Sequence, residues 1–142
     1  MLIDTLRAGF AAYDAGDYDR FGDIVRGLLT PDCPVRGPQY TARGPAEIIP
    51  IWVAFADAFP DGRHEWLVAE EFDGGAVLEL RYNGTHTGPL ETPNGPLPGT
   101  GRVVSIDTAV VLTTRDGHVT SWHDYMDTFA FAQQLGLMPE PA

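Results

Sequence analysis

The chain has 142 residues, of which 44% are hydrophobic and 20% are charged. That size and composition are typical of one globular domain with its own buried core, so we expect a single domain over residues 1–142. The formal net charge is −11, from 20 acidic residues against 9 Lys and Arg. Because nucleic acids and anionic membranes are bound by basic surfaces, this charge disfavours both partners and favours a small, neutral or weakly polar ligand.

Other bulk features exclude further classes of protein. No apolar run approaches the roughly 20 residues that a membrane-spanning helix needs. The first residues include acidic side chains and no basic start before an apolar stretch, which is not the pattern of a signal peptide. Cys33 is the only cysteine, which excludes internal disulfides and a cysteine-based zinc site. These features together predict a cytoplasmic protein.

Three stretches in the first half have apolar residues at the three- and four-residue spacing of amphipathic helices. Their stripes are Leu2, Leu6, Phe10 and Tyr13; Tyr18, Phe21, Val25 and Leu28; and Ile48, Trp52, Phe55 and Phe59. Asp17 is placed to cap the second helix, and the third is expected to begin at Pro45. The Pro-rich segment "TPDCPVRGP" between them is either a loop or a short edge strand.

From residue 66 onward the apolar period changes to two, which indicates strands. Trp66, Val68 and Phe72 alternate with polar residues, and a second strand carries the stripe of Leu78, Leu80 and Tyr82. The segments "RVVSIDTAVVLTT" and "HVTSWHDYMD" complete a predicted four-stranded meander, after the long connection "TGPLETPNGPLPGTG". Three helices followed by such a meander predict an α+β fold in which helices cover a curved antiparallel sheet and leave a cavity for a small molecule.

The last strand raises the central question, which is where its carboxylates point. Counted from Val119, strict alternation places Asp124 on the opposite face of the sheet, at a solvated strand end. A β-bulge near Trp122 would instead turn Asp124 to the side of Val119, into the cavity. Asp127 precedes "TFAFAQQLG" and either caps a C-terminal helical turn, which we favour, or supplies a second carboxylate to the cavity.

The remaining polar and aromatic side chains allow two interpretations each. His86 continues the buried parity of its strand, so it is either a core histidine or a catalytic one. The aromatic residues are either core or walls of the cavity, where flat rings would hold a planar substrate; they are Tyr13, Trp52, Phe55, Tyr82 and Trp122. Asp107 falls on the polar face of its strand, toward solvent or a subunit interface. The sequence has no HExxH metal motif, phosphate-binding loop or nucleophile elbow.

Several segments, taken in order, resemble the SnoaL-like polyketide cyclases, a family with the cone-shaped α+β fold of ketosteroid isomerase, also called NTF2-like. These segments are "AAYDAGDYDRF", "ARGPAEI", "AFPDGRHE", "YNGTHTGPL" and "DGHVTSWHDYMDTFAFAQQLG". The resemblance implies ring closure by intramolecular aldol condensation without metal or cofactor, in natural-product biosynthesis. It also implies that Asp124 is the general acid/base, that His86 polarises the substrate or orients Asp124, and that Tyr13 lines the pocket.

Two positions depart from that family pattern. A histidine that some members carry on the penultimate strand falls at Val110 here, and a third-helix asparagine falls at Ile51. Both changes make the pocket more apolar and put the anthracycline-precursor substrate of the best-known members in doubt.

Three functions remain open from the sequence. The first is a cyclase or isomerase that uses Asp124. The second is epoxide opening or hydrolysis, which requires Asp124 and Asp127 in one cavity. The third is a binding module without catalysis. The long, apolar "RVVSIDTAVVL" strand also predicts association into a homodimer or larger homo-oligomer through the outer face of the sheet.

Overall fold

The order of helices and strands follows the expected α+β pattern. The structure, a computed structural model, describes residues 1–138. The elements are α1 (Leu2–Asp14), α2 (Tyr18–Leu28), β1 (Pro34–Gly37), β2 (Tyr40–Arg43), α3 (Gly44–Ala58), β3 (Arg63–Phe72), β4 (Gly75–Thr85), β5 (Leu90–Thr92), β6 (Gly95–Leu97), β7 (Val103–Arg115), β8 (His118–Met126) and α4 (Thr128–Gln134).

The three predicted helices are confirmed, and each buries its apolar stripe against the sheet or a neighbouring helix. Leu6, Phe21, Val25 and Ile48 belong to one continuous core with residues of the sheet. The Asp17 side chain caps α2 by accepting a hydrogen bond from the backbone N–H of Arg20 (3.2 Å). Such a cap satisfies one of the donors that every helix leaves free in its first turn.

The sheet is larger than the predicted four-stranded meander. Six strands pair in the order β2-β1-β8-β7-β4-β3, because the second half of the Pro-rich connector forms β1 beside β8 and the residues after the connector form β2. Strand β1 runs parallel to β8, with Val35 opposite Trp122, whereas the other neighbouring strands are antiparallel. The connector is therefore strand rather than loop, and the long connection after β4 contains a small separate hairpin, β5–β6.

Two β-bulges change which side chains face inward. In β8, Thr113 pairs with Ser121 and Thr114 with Val119, so Thr120 is the extra residue. In β3 the pairing shifts between Trp66 and Val68, where strict alternation fails. Val68 is consequently 42% exposed, and the predicted inward stripe of Trp66, Val68 and Phe72 is wrong beyond Trp66. A bulge reverses the parity of everything that follows it, which alternation alone cannot anticipate.

The two faces of the sheet differ in chemistry. Leu78, Leu80, Val110 and Leu112 are fully or almost fully buried on the concave face, toward the helices. The convex face carries exposed polar groups, and there the Arg81 Nε donates to the Asp107 carboxylate at 2.7 Å. This confirms the outward orientation predicted for Asp107. Within residues 1–138 no helix is long and apolar enough to cross a membrane.

Candidate active site

A cavity of about 740 Å³ lies between the helices and the concave face of the sheet. That volume is in the range of pockets that hold drug-sized molecules. All five aromatic residues singled out in the sequence line it, namely Tyr13, Trp52, Phe55, Tyr82 and Trp122. Val110 and Ile51 line it as well, so the two departures from the family pattern do make this cavity more apolar.

Asp124 lines the same cavity, because the bulge at Thr120 turns it to the inner face of β8. Its Oδ1 is buried and has no hydrogen-bond partner within residues 1–138. Burial raises the pKa of the Asp124 carboxyl from 3.8 to about 7. An apolar environment disfavours the charged carboxylate, so this carboxyl can gain or lose a proton near neutral pH.

Trp122 lies two residues before Asp124 and therefore on the same face of β8. The Trp122 side chain lines the cavity, and its indole Nε1 is buried with no acceptor among the described residues. A buried polar group without a hydrogen-bond partner costs free energy. A ligand that bonds to both the Trp122 N–H and the Asp124 carboxyl oxygen would recover that cost.

The other polar groups near Asp124 are already paired. The Trp52 Nε1 donates to the Tyr40 hydroxyl (3.1 Å), and the Tyr13 hydroxyl donates to the Trp52 backbone carbonyl (2.7 Å). Burial, and secondarily the Asp124 charge, raises the pKa of Tyr40. Tyr13 and Trp52 thus form a fixed wall of the cavity, whereas Asp124 Oδ1 and Trp122 Nε1 are buried without a partner within residues 1–138.

His86 is not among the residues that line the cavity, which corrects its expected position beside Asp124. The side chain is fully buried, as its parity predicted, but β4 ends at Thr85 and the next residues turn under the end of α3. There the His86 Nδ1 accepts a hydrogen bond from the backbone N–H of Thr100 (3.2 Å), and the ring packs on Phe59 with centroids 5.4 Å apart. In this position His86 holds the loop that contains Thr100 against Phe59 of the core.

Asp127 also lies outside the cavity, which corrects its assignment as a substrate-binding residue. It is exposed, follows the last residue of β8, and its Oδ1 accepts a hydrogen bond from the backbone N–H of Ala130 (2.9 Å). Asp127 is the N-cap of α4, as the favoured interpretation predicted. The cap fixes the short helix that follows β8.

His64, to which the sequence patterns assign no role, also lines the cavity. Asp14, at the end of α1, accepts hydrogen bonds from both the Nδ1 and the backbone N–H of His64, each at 2.7 Å. One signal could have revealed the pair: an acidic side chain in the last turn of a helix opposes the helix dipole, so Asp14 needs a specific partner. His64 also shares the inward parity of Trp66.

Comparisons with known proteins identify a family and a fold for this chain. A family model described as SnoaL-like polyketide cyclase matches residues 3–135. None of the curated protein sequences matches the chain significantly.

Solved structures with the same fold cover nearly the whole chain. A candidate SnoaL-like polyketide cyclase from Jannaschia sp. CCS1 superposes with a TM-score of 0.82 at 19% identity, covering 97% of this chain and 93% of its own. IdmH from Streptomyces antibioticus, a candidate polyketide cyclase, has a TM-score of 0.75 at 21% identity, with 96% and 99% covered. AclR from Streptomyces galilaeus, a candidate hydroxylase, has a TM-score of 0.79 at 20% identity, with 99% and 88% covered.

At such identities the superpositions establish the ketosteroid isomerase-like fold, and the family match covers most of the chain. Because the family model matches residues 3–135, this chain belongs to the SnoaL-like polyketide cyclase family.

Proposed function

We propose that the protein is a cofactor-free acid/base catalyst that closes a ring in a neutral, carbonyl-bearing, polyketide-like compound. One observation carries this proposal: the unpartnered Asp124 carboxyl and the unpartnered Trp122 N–H lie on one face of one strand, inside an apolar cavity. A ketone is the group that this pair would suit. Its oxygen accepts from Trp122, and the C–H beside its carbonyl carbon lies toward Asp124.

The proposed reaction consumes and releases no net proton. The Asp124 carboxylate takes a proton from the carbon beside a carbonyl, and the electron pair of that C–H bond forms an enolate whose oxygen accepts a hydrogen bond from Trp122. The enolate carbon then bonds to a second carbonyl carbon of the same molecule, whose C=O π electrons become an alkoxide. The alkoxide takes the proton back from Asp124. A carboxyl with a pKa of about 7 suits both steps near neutral pH.

The walls of the cavity determine which substrates fit. Aromatic rings surround it, for example Trp52 and Trp122 with centroids 5.2 Å apart. Such walls favour a planar, largely apolar compound, and the overall charge of −11 disfavours anionic ones.

The two other functions have less support. Epoxide chemistry requires a second inward carboxylate, and Asp127 instead caps α4 at the surface. A module that only binds would be favoured by inward polar groups that bond one another and titrate ordinarily, whereas Asp124 Oδ1 has no partner in the described part of the chain and burial raises the pKa of its carboxyl to about 7.

The test uses two neutral aryl ketones. β-Tetralone in deuterated buffer reports proton removal, because NMR follows the exchange of its α-protons. The diketone ortho-acetonyl acetophenone reports ring closure, because its cyclic ketol aromatises with loss of one water to a fluorescent naphthol. Asp124→Asn is expected to slow exchange by about 100-fold or more, since it removes a positioned base. The matched control is Asp127→Asn, outside the cavity, which should keep the wild-type rate.

Exchange at near wild-type rate in Asp124→Asn would overturn the proposal. If wild-type protein bound β-tetralone but catalysed no exchange above buffer, the binding module would be the better description.

We also propose that the protein forms a homodimer through the convex face of the sheet. Val111 (39% exposed) and Tyr125 (52% exposed) lie there on the central strands β7 and β8, where apolar side chains gain from being covered. Light scattering after size exclusion should give twice the chain mass for the wild type and the monomer mass for Val111→Glu. A monomeric wild-type protein would contradict this.

A further inference from the structure

The Asp14–His64 pair is a further acid/base group at the cavity, and the proposed ring closure does not use it. The His64 side chain is 14% exposed and the Asp14 side chain 15%. Only His64 lines the cavity, and Asp14 lies behind it, outside the cavity wall. Asp14 therefore acts on the cavity through the imidazole ring.

The hydrogen bonds around Asp14 fix the tautomer of the ring. One carboxylate oxygen accepts from the backbone N–H of His64 and the other contacts Nδ1, both at 2.7 Å. A carboxylate can only accept, so Nδ1 carries a proton and the neutral ring keeps its lone pair on Nε2. Within residues 1–138 Nε2 has no hydrogen-bond partner, and it lies on the side of the ring away from Asp14.

The surroundings hold the ring in place. The Phe10 and Tyr82 rings pack on His64 with centroids 4.8 Å away in each case, and Tyr13 lies at 5.8 Å. The titratable groups that face it are Asp14 and Tyr13 from α1 and Tyr82 from β4, and the Tyr13 hydroxyl is already bonded to Trp52. Among residues 1–138, Asp14 is thus the one carboxylate that is hydrogen-bonded to the imidazole.

His64 and Asp124 act at different parts of the cavity. His64 is on β3, the edge strand, and Asp124 is on β8, with β4 and β7 between them in the sheet. Neighbouring strands are separated by about 5 Å, so three strand spacings, about 15 Å along the sheet, lie between the two backbones, and each side chain is assigned to its own part of the substrate.

We propose that His64, positioned by Asp14, binds an acidic hydroxyl group of the substrate, a phenol or an enol, and accepts its proton. The proposal rests on the proposed function, because it names a second substituent of the same substrate. On binding, the O–H proton moves to Nε2, leaving an oxyanion hydrogen-bonded to the imidazolium, whose charge Asp14 balances. The proton returns when the product leaves. The substrate is therefore a planar compound with a carbonyl near Asp124 and an acidic hydroxyl near His64.

Binding of β-naphthol tests this without the natural substrate. Its methyl ether has nearly the same shape but no hydroxyl proton, so the ratio of the two dissociation constants measures hydroxyl recognition. We expect wild-type protein to bind β-naphthol about 10-fold more tightly than the ether, the effect of one well-made hydrogen bond to a buried acceptor. The fluorescence of bound β-naphthol should shift toward that of the naphtholate.

Two variants distinguish the presence of the His64 Nε2 atom from the tautomer that gives it a lone pair. His64→Asn keeps a donor at the position of Nδ1, and hence the contact with Asp14, but removes Nε2. Asp14→Asn keeps the shape, but the backbone N–H of His64 can only donate, so the amide oxygen stays opposite it and the amide NH₂ faces Nδ1. The tautomer with the proton on Nε2 then becomes favourable, and its lone pair is lost from the cavity. Both variants should lose the 10-fold preference, and ¹⁵N NMR of Asp14→Asn should show the changed tautomer.

Asp124→Asn is the contrasting variant, because it should retain the naphthol preference while losing β-tetralone exchange. The outcome that overturns the proposal is a preference unchanged in His64→Asn, or the lack of any preference or naphthol binding in the wild type. If the preference disappears in Asp124→Asn alone, the hydroxyl is bound at Asp124, and the assignment to His64 is wrong. If His64→Asn fails to fold, the ¹⁵N resonance of His64 Nε2 in wild-type protein decides: it should move when β-naphthol is added, and no movement rejects the proposal.

Discussion

Asp107 and Asp124 lie on neighbouring strands of one sheet, yet they differ in almost every physical property. Asp107 on the convex face of β7 is exposed, and the hydrogen bond from Arg81 lowers the pKa of its carboxyl. Asp124 on the concave face of β8 faces an apolar cavity, and burial raises the pKa of its carboxyl to about 7. The same side chain is therefore a permanent anion on one face and a proton-transfer group on the other.

The difference shows that the face of the sheet, rather than the residue type, determines the chemistry. Asp107 has a cation and water to stabilise its charge. Asp124 has an unsatisfied oxygen and apolar neighbours, so its ionisation must be unfavourable in the folded state. Three variants test this contrast.

Asp124→Asn should have the largest effect. Because the folded state binds the Asp124 proton more tightly than the unfolded chain does, wild-type protein loses stability as the pH rises from 3.8 to about 7. The amide is never charged, so the variant should be more stable above pH 7 by on the order of 2–4 kcal/mol. Urea unfolding at several pH values measures the difference, which should shrink toward zero in acid. A pH-independent difference would contradict the buried ionisation.

Trp122→Phe should have an intermediate effect. It removes the unpartnered N–H, so β-tetralone exchange should slow roughly 10-fold. Trp52→Phe is the matched control, because it makes the same change in volume but deprives the Tyr40 hydroxyl of its donor. We expect Trp52→Phe to cost about 1 kcal/mol more in unfolding free energy than Trp122→Phe. Equal exchange rates in Trp122→Phe and wild-type protein would exclude Trp122 as the enolate donor.

Asp107→Asn should have the smallest effect. Exposed ion pairs contribute little because water and salt screen them. The exchange rate and the shape of the stability-against-pH curve above pH 5 should both match those of the wild type. A large loss of exchange in this variant would mean that the convex face contributes to the reaction after all.

Much of the fold could be predicted because it follows from periodicity. The apolar stripes of α1 to α3 and the alternation in β4 and β7 have the periods that burial on one face requires. The addition of β1 beside β8 could not be predicted, since Pro-rich segments carry little periodicity and a parallel pairing joins residues far apart in sequence. The bulge at Leu67 was missed for a related reason: one extra residue leaves no clear mark on composition.

The candidate site was only partly predictable. Strict alternation placed Asp124 on the outer face and a bulge would place it inward, and the observed bulge at Thr120 selects the inward position. The parity of His86 correctly predicted burial but could not distinguish the cavity from the core under Phe59. Local signals mark Asp14 and His64 separately, but they cannot show that these residues, 50 positions apart in the chain, meet in the fold.

The ionisation of Asp124 is the central claim and can be measured directly. Protein labelled with ¹³C at aspartate side chains should be titrated by NMR, with Asp124 assigned from the Asp124→Asn spectrum. We expect the Asp124 carboxyl resonance to change with a midpoint near pH 7, while that of Asp107 changes at a pH below the ordinary aspartate value. A midpoint near 4 for Asp124, the value of an aspartate in water, would contradict the buried acid/base site.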